Sequence, residues 1–228
     1  MTEFEAVLWD VGGVIVDLES VRSAHGRFVG WLVEEHDLDL DREAAVETWR
    51  HEVGAHFRER EGTEFRAARE AYDRANEAVV GEPVDRDAWQ PALRSILSKA
   101  VRENPGASET IARIAETDRH QGVVSDADHE DAVWLLEHLG VESTVDVVTT
   151  SERVGRTKPD PAMFETALEH AGVEPERALM IGDRYDHDMA GAKRHGIQTA
   201  AYGAENGPDV DYRLEDLRDL LELLDLDR

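Results

Sequence analysis

Short apolar runs alternate with helical patterns along most of this chain, and this alternation restricts its fold more than any other feature. The apolar runs predict strands at residues 6–9, 122–125, 145–149, 178–181 and 199–202. Helical periodicity predicts helices near residues 108–117, 132–139 and 161–171, a helix that ends at Gly196, and an amphipathic helix over residues 214–224. Because strands that alternate with helices pair in parallel, the sequence predicts an α/β fold with a doubly wound, Rossmann-like parallel sheet.

One long region, residues 18–101, departs from this alternation. Apolar residues recur in it at helical spacing, as at Phe28, Trp31 and Leu32, and no strand pattern interrupts them. We therefore predict two domains. A core domain is formed by residues 1–17 and 102–228, and an all-helical domain of residues 18–101 is inserted after the first strand.

The composition restricts the partners of the chain. Its 228 residues carry a formal net charge of −26, which excludes a nucleic-acid partner because phosphate backbones require basic patches. No apolar run approaches the length of about 20 residues that a bilayer crossing needs. The first residues lack the basic start of a signal peptide, and there is no cysteine for disulfides or thiolate metal sites. These observations predict a cytoplasmic protein without a membrane partner.

Lysine is scarce in this acidic chain. The 51 acidic residues face only 25 basic ones, and the lysines among these are Lys99, Lys158 and Lys193. Acid-rich, lysine-poor surfaces are typical of halophilic proteins, since self-repulsion is screened where the Debye length falls to about 3 Å in molar salt. The charge is compatible with a specific homodimer.

Polar residues stand where the predicted strands end. Asp10 ends the first apolar run and is followed by Gly12 and Gly13, which permit a tight turn. Ser125 ends the second run, and Asp183 follows the fourth. Because the carboxyl ends of parallel strands meet at one edge of a sheet, these residues are expected to share a crevice.

Phosphoryl transfer is the chemistry that suits such a set. Carboxylates such as Asp10 and Asp183 are the hard oxygen ligands that Mg²⁺ prefers, and a carboxylate can attack phosphorus to give an aspartyl phosphate. Lys158, in a loop before a predicted helix, can neutralise charge on Asp10 and on the transferring group. In a chain so poor in lysine, a surface charge would be expected to be arginine, so Lys158 is predicted to have a role that a compact ammonium fills better.

Four motifs in this order resemble the haloacid dehalogenase (HAD) superfamily, and the resemblance covers the whole chain. The motifs are Asp10-Val-Gly12-Gly13-Val-Ile, the strand that ends in Ser125, Lys158-Pro159-Asp160-Pro161, and Ile181-Gly182-Asp183-Arg-Tyr-Asp-His-Asp188. The resemblance implies a HAD-type core with a mobile helical cap inserted after the first motif.

The resemblance also implies a role for each motif residue. Asp10 would be the nucleophile and Lys158 would orient it, while Ser125 would bind the phosphate, with Asp126 and Gly13 beside it. The Mg²⁺ ligands would be the carboxylates of Asp10, Asp183 and Asp188 and the backbone carbonyl of Gly12. The expected function is a Mg²⁺-dependent phosphatase that acts on a small phosphorylated metabolite, such as a sugar phosphate.

Gly12 departs from the pattern of the superfamily's phosphatases. Most of them have a second aspartate at this position, two residues after the nucleophile, as a general acid and base. Its absence typically costs a factor of about 10²–10⁴ in rate, or about 3–5 kcal/mol of barrier. Candidates for a replacement are Asp17, Glu19, His25 and Asp126.

Two other functions remain open from the sequence. A 2-haloacid dehalogenase would use Asp10 to attack carbon without a metal, although that family usually has an aromatic residue at the position of Gly12. A non-catalytic binding or regulatory domain would explain Gly12. The intact Asp10, Lys158 and Asp183 speak against that second alternative.

Overall fold

The computed structural model describes residues 4–226 and divides into two compact units. One unit comprises the chain up to Asp17 together with the chain from Glu103 onward. The other comprises Leu18–Arg102. Among the described residues, none of the helices combines the length and the apolar composition that a bilayer crossing requires.

A parallel sheet forms the centre of the first unit. Its strands, in chain order, are β1 (Ala6–Trp9), β2 (His120–Ser125), β3 (Val147–Thr150), β4 (Ala178–Gly182), β5 (Gln198–Tyr202) and β6 (Tyr212–Leu214). Their spatial order is β3-β2-β1-β4-β5-β6, and all neighbouring strands run parallel. The order reverses at β1, so the crevice of a doubly wound sheet lies at the carboxyl ends of β1 and its neighbours. The predicted α/β class is confirmed.

The helices accompany this sheet and build the second unit. In chain order they are α1 (Leu18–Glu35), α2 (Arg42–Arg58), α3 (Ala68–Val80), α4 (Arg86–Ala100), α5 (Ala107–Ala115), α6 (His129–His138), α7 (Ser151–Val154), α8 (Pro161–Ala171), α9 (Ala190–Lys193) and α10 (Asp219–Leu223). Local signals fix α8 as expected: Asp160 accepts a hydrogen bond from the N–H of Ala162, Pro161 is the first helical residue, and Gly172 ends the helix with a φ of 65°.

The packing of the first unit explains why apolar and polar residues do not alternate along β1 and β4. Both strands are buried along their whole length, because they pair on both edges and have apolar side chains packed on both faces. Leu8 and Met180, for example, pack with Phe164 of α8 in one cluster of buried side chains.

The predicted amphipathic helix over residues 214–224 is only partly present. Leu214 belongs to the edge strand β6, and the helix is limited to Asp219–Leu223. Between them the Asp219 carboxylate accepts the N–H groups of Glu215 and Asp216, which makes a turn rather than a helix. The leucines of the predicted apolar face are buried. A strand followed by a short helix therefore places them in the core, as one long helix would also have done.

The helix predicted to end at Gly196 begins differently. It starts as a π-helix over Tyr185–Met189, continues as α9, and ends with a turn that reaches Gly196. The third strand begins two residues later than predicted and covers Val147–Thr150.

The second unit consists of α1–α4 packed around an aromatic core. Phe28, Trp49 and Trp89 are buried in it, and the predicted helical spacing of the apolar residues accounts for their convergence. Asp41 begins α2 by accepting the N–H groups of Glu43 and Ala44.

Candidate active site

Three neighbouring strands place polar side chains at one edge of the sheet. Asp10 follows β1, Ser125 is the last residue of β2, and Asp183 follows β4. The register aligns Trp9 with both Val123 and Ile181, so the three strands end at a common level. Asp10 and Ser125 are buried there.

Asp10 is held by its own turn and by a cation. Its Oδ1 accepts the N–H of Val11 at 2.8 Å, and the Nζ of Lys158 lies 3.0 Å from the same oxygen. Burial raises the pKa of Asp10 to about 7 although the charge of Lys158 opposes it, and the nearby charge of Asp188 raises it further. In the absence of a further cation, this carboxylate therefore holds its proton more tightly than an ordinary aspartate.

Lys158 is a buried ammonium between two carboxylates. Its side chain is 2% exposed, and its Nζ lies 3.0 Å from Asp10 Oδ1 and 2.6 Å from Asp188 Oδ1. Burial disfavours the charged form, but the charges of Asp10 and Asp188 outweigh it and raise the pKa of Lys158 above its usual value. Lys158 is thus a permanent positive charge at the strand edge.

The carboxylates of Asp10, Asp183 and Asp188 outnumber the ammonium of Lys158 at this edge. Asp10, Asp183 and Asp188 each offer one oxygen, and these oxygens lie within 4.8 Å of one another. The Oδ1 of Asp183 is buried and has no hydrogen-bond partner among residues 4–226. Burial and the charge of Asp188 raise the pKa of Asp183.

These residues fit a Mg²⁺ ion. A buried carboxylate oxygen without a donor is costly unless a cation or proton satisfies it, and oxygen ligands are those that Mg²⁺ prefers. The excess of negative charge over the ammonium has the sign that a cation site requires. Gly12 lies in the turn after β1, where it pairs with Val16. The part of its carbonyl in a metal site stays a prediction.

Two glycines allow the acidic residues to pack this closely. Gly13 has a φ of +87°, and a Cβ on it would lie 2.1 Å from Asp183 Oδ2. A Cβ on Gly182 would lie 2.2 Å from the Cβ of Asp188. The N–H of Gly13 donates to the carbonyl of Val16 at 2.9 Å, so the structure gives Gly13 a packing role. Its predicted contact with substrate stays a prediction.

Asp126 is engaged within the protein by both of its oxygens. Oδ1 accepts the backbone N–H of Lys158 at 2.7 Å and the hydroxyl of Ser151 at 3.0 Å. Oδ2 lies 3.2 Å from His187 Nδ1. No local sequence pattern singles out Ser151. The position of His187 inside the motif that ends at Asp188 is the signal that points to it.

The candidates for the acid missing at Gly12 lie in different units. Asp17 and Asp126 belong to the first unit, and Glu19 and His25 to the second. Burial, together with the charge of Arg50, lowers the pKa of His25 to about 4, so its ring is neutral near pH 7. A neutral imidazole carries no spare proton for a leaving group at that pH.

Comparison with known proteins shows which family this chain resembles. A family model described as haloacid dehalogenase-like hydrolase matches residues 33–202. The phosphoglycolate phosphatase of Nitrosococcus oceani is 30% identical over 214 residues, which cover 90% of this chain and 88% of that protein. The ribulose-1,5-bisphosphate 5-phosphatase of Halopiger xanaduensis is 28% identical over 210 residues, covering 90% and 87%.

Other matches cover less or are more distant. The glyceraldehyde 3-phosphate phosphatase of Pyrococcus furiosus is 32% identical over 133 residues, which span only 55% of each protein. A HAD phosphatase from Thermococcus onnurineus has a TM-score of 0.74 at 22% identity, covering 97% of this chain and 98% of that one. An L-2-haloacid dehalogenase from Xanthobacter autotrophicus has a TM-score of 0.70 at 17% identity, with the same coverage. These two structures share the fold. The family model that matches residues 33–202 shows that this chain belongs to the haloacid dehalogenase-like hydrolase family.

Proposed function

We propose that the protein is a Mg²⁺-dependent phosphatase that acts on a small phosphorylated metabolite. The observation that carries this proposal is the trio Asp10, Asp183 and Asp188, in which one Asp183 oxygen is buried and has no partner among the described residues. A metal-free dehalogenase would have no use for that oxygen. The phosphatase names of the relatives support the same choice.

The chain's own residues suffice to describe the covalent steps. An oxygen of Asp10 attacks phosphorus, a bond forms between them, and the bond from phosphorus to the leaving oxygen breaks with its electron pair. The leaving oxygen takes a proton from water. A water molecule then attacks phosphorus, and the bond between phosphorus and the Asp10 oxygen breaks with its electron pair, which releases phosphate and restores the Asp10 carboxylate. The proton that this water loses neutralises the hydroxide left by the first step.

Lys158 and the strand-end groups prepare these steps. The Lys158 ammonium holds the Asp10 carboxylate in place and offsets the repulsion between that carboxylate and a phosphate. Ser125, buried at the end of β2, is proposed to donate its hydroxyl to a phosphate oxygen. Asp10, Asp183, Asp188 and the Gly12 carbonyl would hold Mg²⁺, which supplies charge neutralisation between carboxylate and phosphate.

Gly12 narrows the substrates that such a site can use. Without an acid at this position, a leaving group that departs as a stable anion is favoured, as in an aryl phosphate or a sugar 1-phosphate. We further propose that the helical unit Leu18–Arg102 is the cap that selects among such substrates.

Hydrolysis of p-nitrophenyl phosphate in molar KCl, with and without Mg²⁺, tests the proposal. We expect turnover that requires Mg²⁺ and that falls by about 10³-fold or more in Asp10→Asn, because the nucleophile is lost. Asp118→Asn, at an exposed aspartate of the same unit, is the matched control and should retain turnover. Metal-independent turnover, or full activity of Asp10→Asn, would refute the proposal. Phosphoglycolate and sugar phosphates follow as a substrate panel.

A further inference from the structure

Asp126 joins four segments of the first unit. It follows β2, and its Oδ1 accepts the hydroxyl of Ser151 at the start of α7 and the backbone N–H of Lys158. Its Oδ2 lies 3.2 Å from Nδ1 of His187 in the π-helix that also carries Asp188. One carboxylate thus fastens the loop of the buried ammonium to the elements on either side of it.

The hydrogen bonds around His187 have a single consistent direction. Arg184 Nη2 lies 2.7 Å from His187 Nε2, and a guanidinium can only donate, so Nε2 is the acceptor. In a neutral ring the proton is then on Nδ1, which donates to Asp126 Oδ2. Arg184 Nη1 also lies 3.7 Å from this oxygen.

All the groups that contact Asp126 are therefore donors, as an ionised carboxylate requires. Burial acts to raise its pKa, but the hydrogen bond from His187 and the charge of Lys158 outweigh burial and lower the pKa of Asp126. Both oxygens are occupied by protein groups. An anionic side chain without a free donor is also poorly suited to bind an anionic phosphate.

The bond to the Lys158 N–H fixes the origin of a long, flexible side chain. Lys158 must place its Nζ within 3.0 Å of one carboxylate and 2.6 Å of another, and its four-carbon stem offers many rotamers if the backbone moves. We propose that Asp126 is a positioning residue that fixes the Lys158 ammonium between Asp10 and Asp188 and does not contact the substrate. This revises the role in substrate binding predicted from the sequence.

Lysine acylation tests the proposal without using activity. The chain has three lysines, so an acetylating reagent followed by tryptic digestion and mass spectrometry reports on each of them. Lys158 lies in the peptide 157–177 in both its free and acetylated forms, because trypsin does not cleave before Pro159. Lys193, paired with Asp211 in the same unit, serves as the internal reference for an intact core.

We expect Asp126→Ala to raise the acylation rate of Lys158 by about tenfold or more relative to Lys193, since the buried amine would then open locally. Asp126→Asn keeps an oxygen for the Lys158 N–H and should retain most of the protection. Asp118→Ala should have no effect. If Asp126→Ala does not fold, Ser151→Ala is the second variant. It removes one donor to Asp126, and a smaller increase in Lys158 acylation is expected from it.

The kinetic part of the test rests on the proposed function. For an active enzyme, Asp126→Ala should lower kcat by about 100-fold through a misplaced lysine, with KM nearly unchanged, and Asp126→Asn should restore much of kcat. A raised KM with unchanged kcat would overturn the proposal in favour of a substrate contact. So would unchanged Lys158 acylation in a folded Asp126→Ala protein. If the wild type hydrolyses no phosphate ester, the proposed function fails while the acylation result still decides the role of Asp126.

Discussion

The strand edge of the first unit and the aromatic core of the second both bury polar side chains, but they satisfy them differently. At the strand edge, Lys158 is enclosed by Asp10 and Asp188, and all three are ionisable. In the helical unit, Trp49 donates its indole N–H to the neutral amide of Asn76 at 2.9 Å.

The imidazole of His25 is a second polar group of the helical unit that remains neutral. Its ring packs at 5.0 Å from Trp49 and 5.6 Å from Tyr72, measured between centroids, and lies 3.4 Å from the Tyr72 hydroxyl. The ring is half-buried, and none of the described carboxylates offsets this, so burial and the charge of Arg50 lower the pKa of His25 to about 4. The strand edge therefore keeps charges by pairing them, whereas the polar groups around Trp49 remain neutral.

This difference has a functional meaning under the proposed mechanism. When one partner of a buried ion pair reacts or is removed, the charge of the other partner is left uncompensated. Such a pair therefore responds to a reaction in which charge moves. Neutral, hydrogen-bonded polar groups among aromatic rings stabilise the packing and carry little desolvation cost at neutral pH. Four experiments should break or sharpen the comparison, from the largest expected effect to the smallest.

Lys158→Met should have the largest effect on stability. Removing one partner of a buried ion pair leaves uncompensated carboxylates and typically costs about 3–5 kcal/mol in the free energy of unfolding. Lys193→Met breaks a half-exposed pair with Asp211 and should cost less than about 1 kcal/mol. Urea unfolding in metal-free buffer measures both. Equal costs would show that burial of the pair at the strand edge is not the source of the contrast.

His25→Gln should change the pH dependence of stability. The folded protein holds His25 neutral with a pKa of about 4, and the unfolded chain takes up the proton below about pH 6.5, so this stability is full above pH 6.5 and is lost as the pH falls toward 4. The upper limit of the loss is about 3 kcal/mol. Exposed His51 supplies the control His51→Gln. Unfolding free energies between pH 7 and 4 should differ in slope between the two variants, and parallel curves would contradict a neutral His25 in the folded protein.

Gly13→Ala should separate backbone strain from crowding of the acidic trio. Both Gly13 and Gly140 have positive φ values, +87° and +75°, so alanine at either is expected to cost about 1–2 kcal/mol. A Cβ at Gly140 meets nothing within 4 Å, whereas at Gly13 it would displace Asp183. Only Gly13→Ala should therefore also weaken Mg²⁺ binding, by about 10- to 100-fold in calorimetric titration. Equal Mg²⁺ affinity of the two variants would argue against Asp183 as a ligand.

A double-mutant cycle between Asn76 and Trp49 should give the smallest effect. Asn76→Leu leaves the buried indole N–H of Trp49 unpaired, while Trp49→Phe removes that donor as well. We expect a coupling free energy of about 1 kcal/mol from chemical denaturation. A coupling as large as the cost of Lys158→Met would remove the distinction between the two units.

Much of the fold and of the site's membership follows from local patterns in the sequence. A fully apolar run such as Ala6–Trp9 can be buried only as a central strand or a core helix, and its shortness and the glycines after it favour the strand. Once the strands are parallel, Asp10, Ser125 and Asp183 must meet at one edge, because parallel strands end on the same side. Helix signals such as Asp160, Pro161 and Gly172 act within a few residues, so they can also be recognised in the sequence.

The tertiary structure alone decided the partners of polar atoms that pair over long distances in the sequence. The carboxylate of Asp126 meets Lys158 and His187, which lie 32 and 61 positions away along the chain, and no local pattern encodes such a pairing. The same applies to Leu214, whose spacing from the later leucines suited a helix until pairing of β6 with β5 made it a strand. Local propensity selects the elements. Which side chains share a hydrogen bond or a buried charge depends on contacts that exist only after the elements pack.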